Sequence, residues 1–251
     1  MKNLLCILFW ILLGVLDLYG ASFGQSIAFQ GASAVRPTAG GGGGGIAYVQ
    51  GGGAQSTDGN TVTKSFTGTP TAGTTVIVAA TAYGSTMSGT PCTDNQGNSY
   101  GTPVALVTNV ANSCTAFFVC NNVASSGTFT VTFAPGAGTY PAIHISEWSG
   151  VNNSTVVTDT SGTTATSTSP APGTITSPTS GYILAVCTHA DGTSPTITPP
   201  GGWTNPYEAE TSSGNSLPIS MIYKSSSTDE TPVWTIGTSA NWAASAIAIQ
   251  P

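Results

Sequence analysis

The sequence contains very little charge, since only 6% of its 251 residues are Asp, Glu, Lys or Arg. Four basic residues stand against ten acidic ones, and the formal net charge at pH 7 is −6. Proteins that bind nucleic acid neutralise phosphates with clustered Lys and Arg side chains. Because the sequence has no basic cluster, we expect no nucleic-acid partner.

Short motifs that signal catalysis or cofactor binding are also missing. No H-E-x-x-H, no C-x-x-C and no phosphate-binding P-loop motif occurs in the chain. Each of these motifs places several reactive or ligating groups at a fixed spacing, which scattered polar residues do not reproduce. We therefore expect no cofactor, no metal site, no catalytic residues and no enzyme activity.

The longest apolar run, residues 4–16, is shorter than the roughly 20 residues that a membrane-spanning helix needs. It follows Lys2, and the small residues Ser22 and Gly24 come shortly after it. This order is typical of a secretory signal peptide. We predict a signal peptide at 1–24, no membrane span after its cleavage, and a secreted protein that is extracellular or on a bacterial cell surface.

What the sequence does contain is Thr, Ser, Val and Ala in short runs, punctuated by 32 Gly and 16 Pro residues. Short β-branched and apolar runs between turn residues are typical of all-β proteins. We predict an antiparallel β-sandwich or jelly-roll-like domain at 46–251, after a flexible Gly-rich segment at 25–45. The predicted strands cover 46–50, 61–67, 74–83, 99–107, 114–121, 127–134, 140–148, 182–189, 217–224, 232–236 and 242–249, whereas 154–181 is interpreted as a surface linker.

The domain is predicted to consist of two repeated halves, at about 61–151 and 165–251. Three pairs of segments are similar at an offset close to 103 residues. A repeat at this spacing predicts two open-edged units that bury their apolar faces together. The pairs are 74–83 with 180–189, 112–122 with 215–225, and 140–148 with 242–250.

Several short motifs resemble a family of secreted bacterial β-sandwich domains that recur in surface and extracellular proteins. They are IAYVQ at 46–50, AGTTVIV at 72–78, TDNQGNSY at 93–100, EWSG at 147–150 and the closing WAASAIAI. The resemblance implies a β-sandwich fold and an extracellular location, and it implies no particular activity.

Four cysteines follow the signal peptide, which is an even number in a chain predicted to be exported. Cys114 and Cys120 share a predicted strand, where six residues span roughly 20 Å, too far for a disulfide. Of the two pairings that remain, we favour Cys92 with Cys114 and Cys120 with Cys187. Four buried free thiols are the alternative.

The stretch CTDNQGNSYG at 92–101 is either a cation-binding loop or a tight turn. Calcium takes six to eight oxygen ligands, usually including several carboxylates, and Asp94 is the only carboxylate in the stretch. Asn and Gly residues favour a reversal of the chain. We therefore predict a turn.

Other polar residues are candidates for a site only if the fold brings them together. His144 and Glu147 are three residues apart on a predicted strand, so their side chains project from opposite faces. His189 and Asp191 are predicted to lie in a loop. A pair of carboxylates for glycoside hydrolysis would have to come from Asp94, Glu147, Asp191, Glu208 and Glu210.

Trp203 and Tyr207, in the loop-like GGWTNPYEAE, are the aromatic residues that we expect at a ligand-binding surface. Trp234 and Trp242 lie in alternating patterns and are expected in the core. The function that we expect is a structural or adhesive module whose partners are a surface glycan or other copies of itself. Carbohydrate binding is the alternative, and a glycan-acting hydrolase ranks third.

A short similarity near the N-terminus bears on assembly. SIAFQGASA at 26–34 resembles GIAYVQGGGA at 45–54, the first predicted strand. Six consecutive glycines, at 40–45, separate the two copies. The first copy could therefore act as a strand on a flexible arm that pairs with the sheet edge of another subunit.

Overall fold

The computed structural model describes residues 45–251, apart from 57–58, 85–86, 88, 110–112, 137–138, 191–195 and 210–216. The predicted signal peptide and all but the last residue of the predicted Gly-rich segment lie outside the described residues. The described chain forms strands β1 (Ala47–Gln55), β2 (Val62–Ser65), β3 (Thr75–Tyr83), β4 (Cys92–Asp94), β5 (Val104–Thr108), β6 (Ser113–Cys120), β7 (Thr130–Phe133), β8 (Ala142–Ser149), β9 (Val157–Ser167), β10 (Gly181–Ala190), β11 (Ile197–Thr198), β12 (Thr204–Ala209), β13 (Ile219–Ser226), β14 (Thr235–Ile236) and β15 (Ala240–Ile249).

These strands form four antiparallel sheets. The first large sheet has the order β1-β8-β3-β6-β5 and the second has the order β12-β13-β10-β15-β9. Two small sheets, β2-β7-β4 and β11-β14, complete the fold. The predicted all-β antiparallel class is confirmed. Among the described residues there is no helix, and so none long and apolar enough to cross a membrane.

The sheets stack in four layers that enclose three apolar clusters. The first outer cluster lies between the β2-β7-β4 sheet and the first large sheet. The central cluster lies between the two large sheets, and the second outer cluster lies between the second large sheet and β11-β14. Strands β3, β10 and β15 are nearly continuous apolar runs because both of their faces are covered.

Alternate residues of each central strand therefore enter different clusters. In β3, Val76 and Val78 face the first outer cluster, whereas Ile77 and Ala79 face the central cluster. We call the side of each large sheet that faces the central cluster its inner face.

The two large sheets have the same strand order when β1, β8, β3, β6 and β5 are matched with β9, β15, β10, β13 and β12. Their packing is reciprocal as well, because β1 lies against β12 and β5 lies against β9. Within the described residues, β1–β8 and β9–β15 thus form large sheets of matching strand order, and we call these two groups of strands the two halves.

The residue-by-residue sequence match between the halves is nevertheless out of register. It aligns Ile77, on the inner face, with Ile183, which faces the second outer cluster. The other two segment pairs are displaced in the same way, since Phe118 is matched with Met221 and Ile145 with Ile247. A shift of one residue moves a strand's side chains to the opposite face. A repeat in the sequence itself therefore stays a prediction.

Two glycines allow the edges of the large sheets to approach each other. A Cβ atom on Gly53 of β1 would overlap the ring of Tyr207 in β12, and one on Gly162 of β9 would overlap the side chain of Val107 in β5. The two contacts occupy matching places in the two halves. Glycine is needed at both positions because another side chain fills the space of its Cβ.

Strand β9 corrects the interpretation of 154–181 as a linker. It pairs with β15 from Val157 to Ser167 and forms an edge of the second large sheet. Its Thr and Ser side chains suit an exposed strand, but the segment lacks the apolar alternation by which strands were predicted. Strands β4, β11 and β12 were missed for the same reason or because they are short.

Candidate functional site

The Asp94 loop is held together by its own hydrogen bonds. Oδ1 of Asp94 accepts from the backbone N–H groups of Gln96 (2.9 Å) and Asn98 (3.1 Å). Oδ2 accepts from Asn98 Nδ2 (2.9 Å) and the Tyr100 hydroxyl (3.0 Å). Asn95 and Gln96 form a turn, and Gly97 follows with a φ of 78°. Both carboxylate oxygens thus stabilise the turn that the sequence predicts.

Replacing Asp94 with alanine should lower the free energy of unfolding by about 2 kcal/mol, since hydrogen bonds to a charged group are each worth roughly 1.5–3 kcal/mol and do not add in full. Asp94→Asn, which keeps an oxygen acceptor for the two backbone N–H groups, should lose about half as much. Urea unfolding monitored by tryptophan fluorescence measures both values. Equal stability of Asp94→Ala and the native chain would contradict the structural role of the carboxylate.

His144 and Glu147 lie on opposite faces of β8, as predicted. Glu147 is buried, and its carboxylate accepts hydrogen bonds from Gln50 Nε2 (2.7 Å), the Thr71 backbone N–H (2.8 Å) and the Thr74 hydroxyl (3.1 Å). These donors belong to β1 and to the turn before β3. Glu147 therefore anchors a turn that precedes it in the chain.

His144 lies on the inner face of β8, in line with Ser146 and Trp148. The side chain is fully buried, and its ring centroid lies 6.0 Å from that of Tyr207. Burial, with a smaller contribution from the charge of Lys64, lowers the pKa of His144 from 6.5 to about 3. The imidazole is therefore neutral at pH 7, and it packs in the protein interior beside Tyr207.

Trp203 and Tyr207 do not converge on one surface, and ligand binding by either residue stays a prediction. Trp203 packs on the second outer cluster, and Lys224 Nζ lies 5.7 Å from its ring centroid. Tyr207 packs on the central cluster, at the opposite face of the same sheet. They are four residues apart, and the pairing of β12 with β13 is irregular between Thr204 and Tyr207, so the two rings face different layers.

The other polar candidates are similarly dispersed. His189 is buried within β10, opposite Trp242 in β15, so the predicted loop position is wrong. Glu208 is exposed and accepts a hydrogen bond from Asn205 Nδ2 (2.9 Å). Asp191 and Glu210 lie outside the described residues. Within the described ranges, no group of three His, Cys, Asp or Glu side chains could hold a metal ion.

All four predicted disulfide cysteines are buried free thiols, so neither favoured bond is present. Cys120 faces the first outer cluster and Cys187 the second, with both large sheets between them. Cys114, near the other end of β6 from Cys120, donates through Sγ to the carbonyl oxygen of Ala82 (3.2 Å). The pairing of Cys120 with Cys187 is wrong because it would have to cross the central cluster.

An aromatic cluster at one end of the inner faces was not predicted from the sequence. The Trp148 ring lies 5.4 Å from Tyr48, 5.1 Å from Tyr182 and 5.3 Å from Tyr223, between ring centroids. Tyr48 in β1 also stacks on Tyr223 in β13 at 5.0 Å. These rings come from both halves, so they join the two large sheets.

A shallow recess of about 370 Å³ lies beside the start of β9. Its lining is polar and includes Asp159, Thr176, Ser177 and Gln250. The backbone N–H groups of Thr160 and Thr176 donate to Asp159 (2.8 and 2.6 Å), and the Thr176 bond is the main reason that the pKa of Asp159 is lowered. This carboxylate too is engaged in holding the fold.

No family model, curated protein or solved structure matches the chain. The resemblance to secreted bacterial β-sandwich domains therefore stays a prediction from the short motifs. In the structure those motifs lie in β1, before and in β3, in the turn after β4, at the end of β8 and in β15.

Proposed function

We propose that the protein is a non-catalytic structural or adhesive module of a bacterial surface, which assembles with other copies of itself by strand addition. The observation that supports this proposal is β9, the longest strand of the fold, which pairs on one side only among the described residues. An exposed strand edge presents unpaired backbone N–H and C=O groups to any strand that can align with it.

Strand β9 is better suited to this role than the other edges of the large sheets. Its pairing with β15 is regular from Asp159 to Ser167, and Asp159 is its only charged residue. The β9 ladder has one irregularity, before Asp159, but the other edges pair regularly over shorter stretches: 50–55 in β1, 107–108 in β5 and 207–209 in β12, which also contains Pro206. Irregular pairing and proline are devices that protect edges from further strands.

The strand that we expect at this edge is residues 26–34 of a second copy. The similar sequence at 45–54 contributes most of β1, which shows that such a sequence can form an edge strand in this protein. Residues 26–34 of one molecule, joined to their own domain through the six glycines at 40–45, would pair with β9 of the next molecule. A head-to-tail contact of this kind can propagate, as a structural assembly requires.

The alternatives have less support from the described residues. Trp203 and Tyr207 lie on opposite faces of a sheet, so they do not form one platform for a sugar. The carboxylates of Asp94, Glu147 and Asp159 each accept hydrogen bonds that hold turns or strands in place. A glycan array separates our proposal from carbohydrate binding. We expect the mature protein to bind no glycan on it.

Size-exclusion chromatography with light scattering tests the assembly. The chain that starts at residue 25 should form oligomers or filaments, and deletion of 25–40 should leave monomers. Replacing the exposed β9 residues Thr160 and Ala165 with lysine should also give monomers, since lysine on an edge opposes strand addition.

A matched control adds the same two charges at the exposed turn residues Ser227 and Ser239, and that variant should assemble like the native chain. Circular dichroism checks that every variant keeps its fold. A native chain that stays monomeric at all concentrations, with and without the arm, would refute the proposal. If the lysine variant of β9 still assembled but deletion of 25–40 prevented assembly, the N-terminal arm would pair with an edge strand other than β9.

A further inference from the structure

Cys92 and Cys120 face each other from the two layers that enclose the first outer cluster. Cys92 lies in β4, at the edge of the small sheet, and Cys120 ends β6 in the first large sheet. Both side chains belong to that cluster, and each is 3% exposed. Cys114 faces the same cluster, near the start of β6, so the cluster contains three of the four cysteines.

Residues next to the two cysteines are in contact across this cluster. Phe133 of β7 lies directly opposite Cys92 in the small sheet, and Phe118 lies two residues before Cys120 on the same face of β6. The rings of Phe118 and Phe133 are 5.6 Å apart between centroids, across the same space. In addition, Cys120 is among the groups that raise the pKa of Cys92, and both cysteines are among the groups that raise the pKa of Tyr100.

We propose that Cys92 and Cys120 form an intersheet disulfide when the chain folds under oxidising conditions, whereas Cys114 and Cys187 remain thiols. A disulfide that joins the two layers of a β-sandwich through its core is a known arrangement in immunoglobulin domains. Cys187 is excluded because it lies in the second outer cluster, and Cys114 lies towards the opposite end of β6. This proposal does not depend on assembly.

The chemistry requires an oxidant, and a low-molecular-weight disulfide such as that of glutathione is sufficient. The thiolate of one cysteine attacks a sulfur of the oxidant, which forms a mixed disulfide and releases one small thiol. The thiolate of the second cysteine then attacks the protein sulfur of the mixed disulfide and releases the second small thiol. Two protein thiols are oxidised, one small disulfide is reduced, and the two protons end on the released thiols.

Formation should be slow in the folded protein and fast during folding. Burial raises the pKa of Cys120 to about 11 and raises that of Cys92 above its ordinary value, so few thiolates exist in the folded state. Only the thiolate is an effective nucleophile. We therefore expect the bond to form while the small sheet is still undocked.

The test is to refold the mature chain in a mixture of reduced and oxidised glutathione, alkylate it under denaturing conditions, and digest it with pepsin at acid pH. Mass spectrometry should find one cross-linked peptide pair containing Cys92 and Cys120, with Cys114 and Cys187 alkylated. Four alkylated cysteines, or a cross-link that involves Cys114 or Cys187, would overturn the proposal. The mapping uses the native sequence, so its outcome does not depend on whether a variant folds.

Cys92→Ser and Cys120→Ser supply a second readout. Reduction should lower the midpoint temperature of the oxidised native chain by about 5–10 °C, as expected for a disulfide in a domain of this size. Reduction should leave the midpoint of either serine variant unchanged. Cys114→Ser is the matched control, and it should keep both the cross-link and the sensitivity to reduction. If reduction no longer lowered the midpoint temperature of Cys114→Ser, the disulfide would involve Cys114 and the proposed pair would be wrong.

Discussion

Replacing Trp148 with alanine should lower the free energy of unfolding by about 4 kcal/mol, the range measured when a buried tryptophan is truncated. Trp148 is completely buried at the centre of the aromatic cluster, among three tyrosines from both halves. Its indole N–H also donates to Ser146 Oγ (2.9 Å), which the variant would leave without that donor. The substitution removes the largest side chain between the two large sheets.

Urea unfolding at equilibrium measures this loss, and Trp203→Ala is the matched control. Trp203 is half-buried and lies outside the central cluster, so its truncation should cost less than half as much. Because the lost contacts join the halves, the Trp148→Ala transition should also broaden or separate into two steps. A Trp148 variant as stable as the Trp203 variant would show that the aromatic cluster does not hold the halves together.

The sequence predicted the elements whose apolar pattern decides their structure. Strands β3, β6, β8, β10, β13 and β15 are buried on both faces, and their runs of Val, Ile, Ala and Phe were recognised as strands. Strand β9 was missed because its pairing with β15 makes it a strand, whereas its partly exposed Thr and Ser residues have the composition of a loop. Tertiary pairing, which a local pattern does not contain, decides such a segment.

The same distinction applies to the candidate site residues. The Asp94 turn was predictable because all of its partners lie within six residues along the chain. The partners of Glu147 lie 73 to 97 residues away in the chain, in β1 and before β3. They could therefore be identified only from the folded structure. The cysteine pairing failed for a related reason, since the layer that each thiol faces depends on strand register.

Acidification should destabilise the protein through His144. The unfolded chain takes up a proton on this imidazole near its ordinary pKa of 6.5, whereas the folded protein does so only near pH 3 because the ring is buried and Lys64 adds a repulsive charge. The stabilising contribution is therefore complete above pH 6.5 and is lost progressively as the pH falls towards 3. Over that range the difference of about 3.5 pKa units corresponds to roughly 5 kcal/mol.

His144→Leu isolates this contribution, because leucine is apolar, of similar size and does not titrate. Urea unfolding of both proteins at a series of pH values should show the variant gaining on the native chain steadily below pH 6.5. The lowered pKa values of Asp159 and Glu230 also favour the folded state at neutral pH, but they act equally in both proteins and cancel in the comparison. A difference in stability that is the same at every pH would show that His144 takes up its proton equally easily in the folded and unfolded chain.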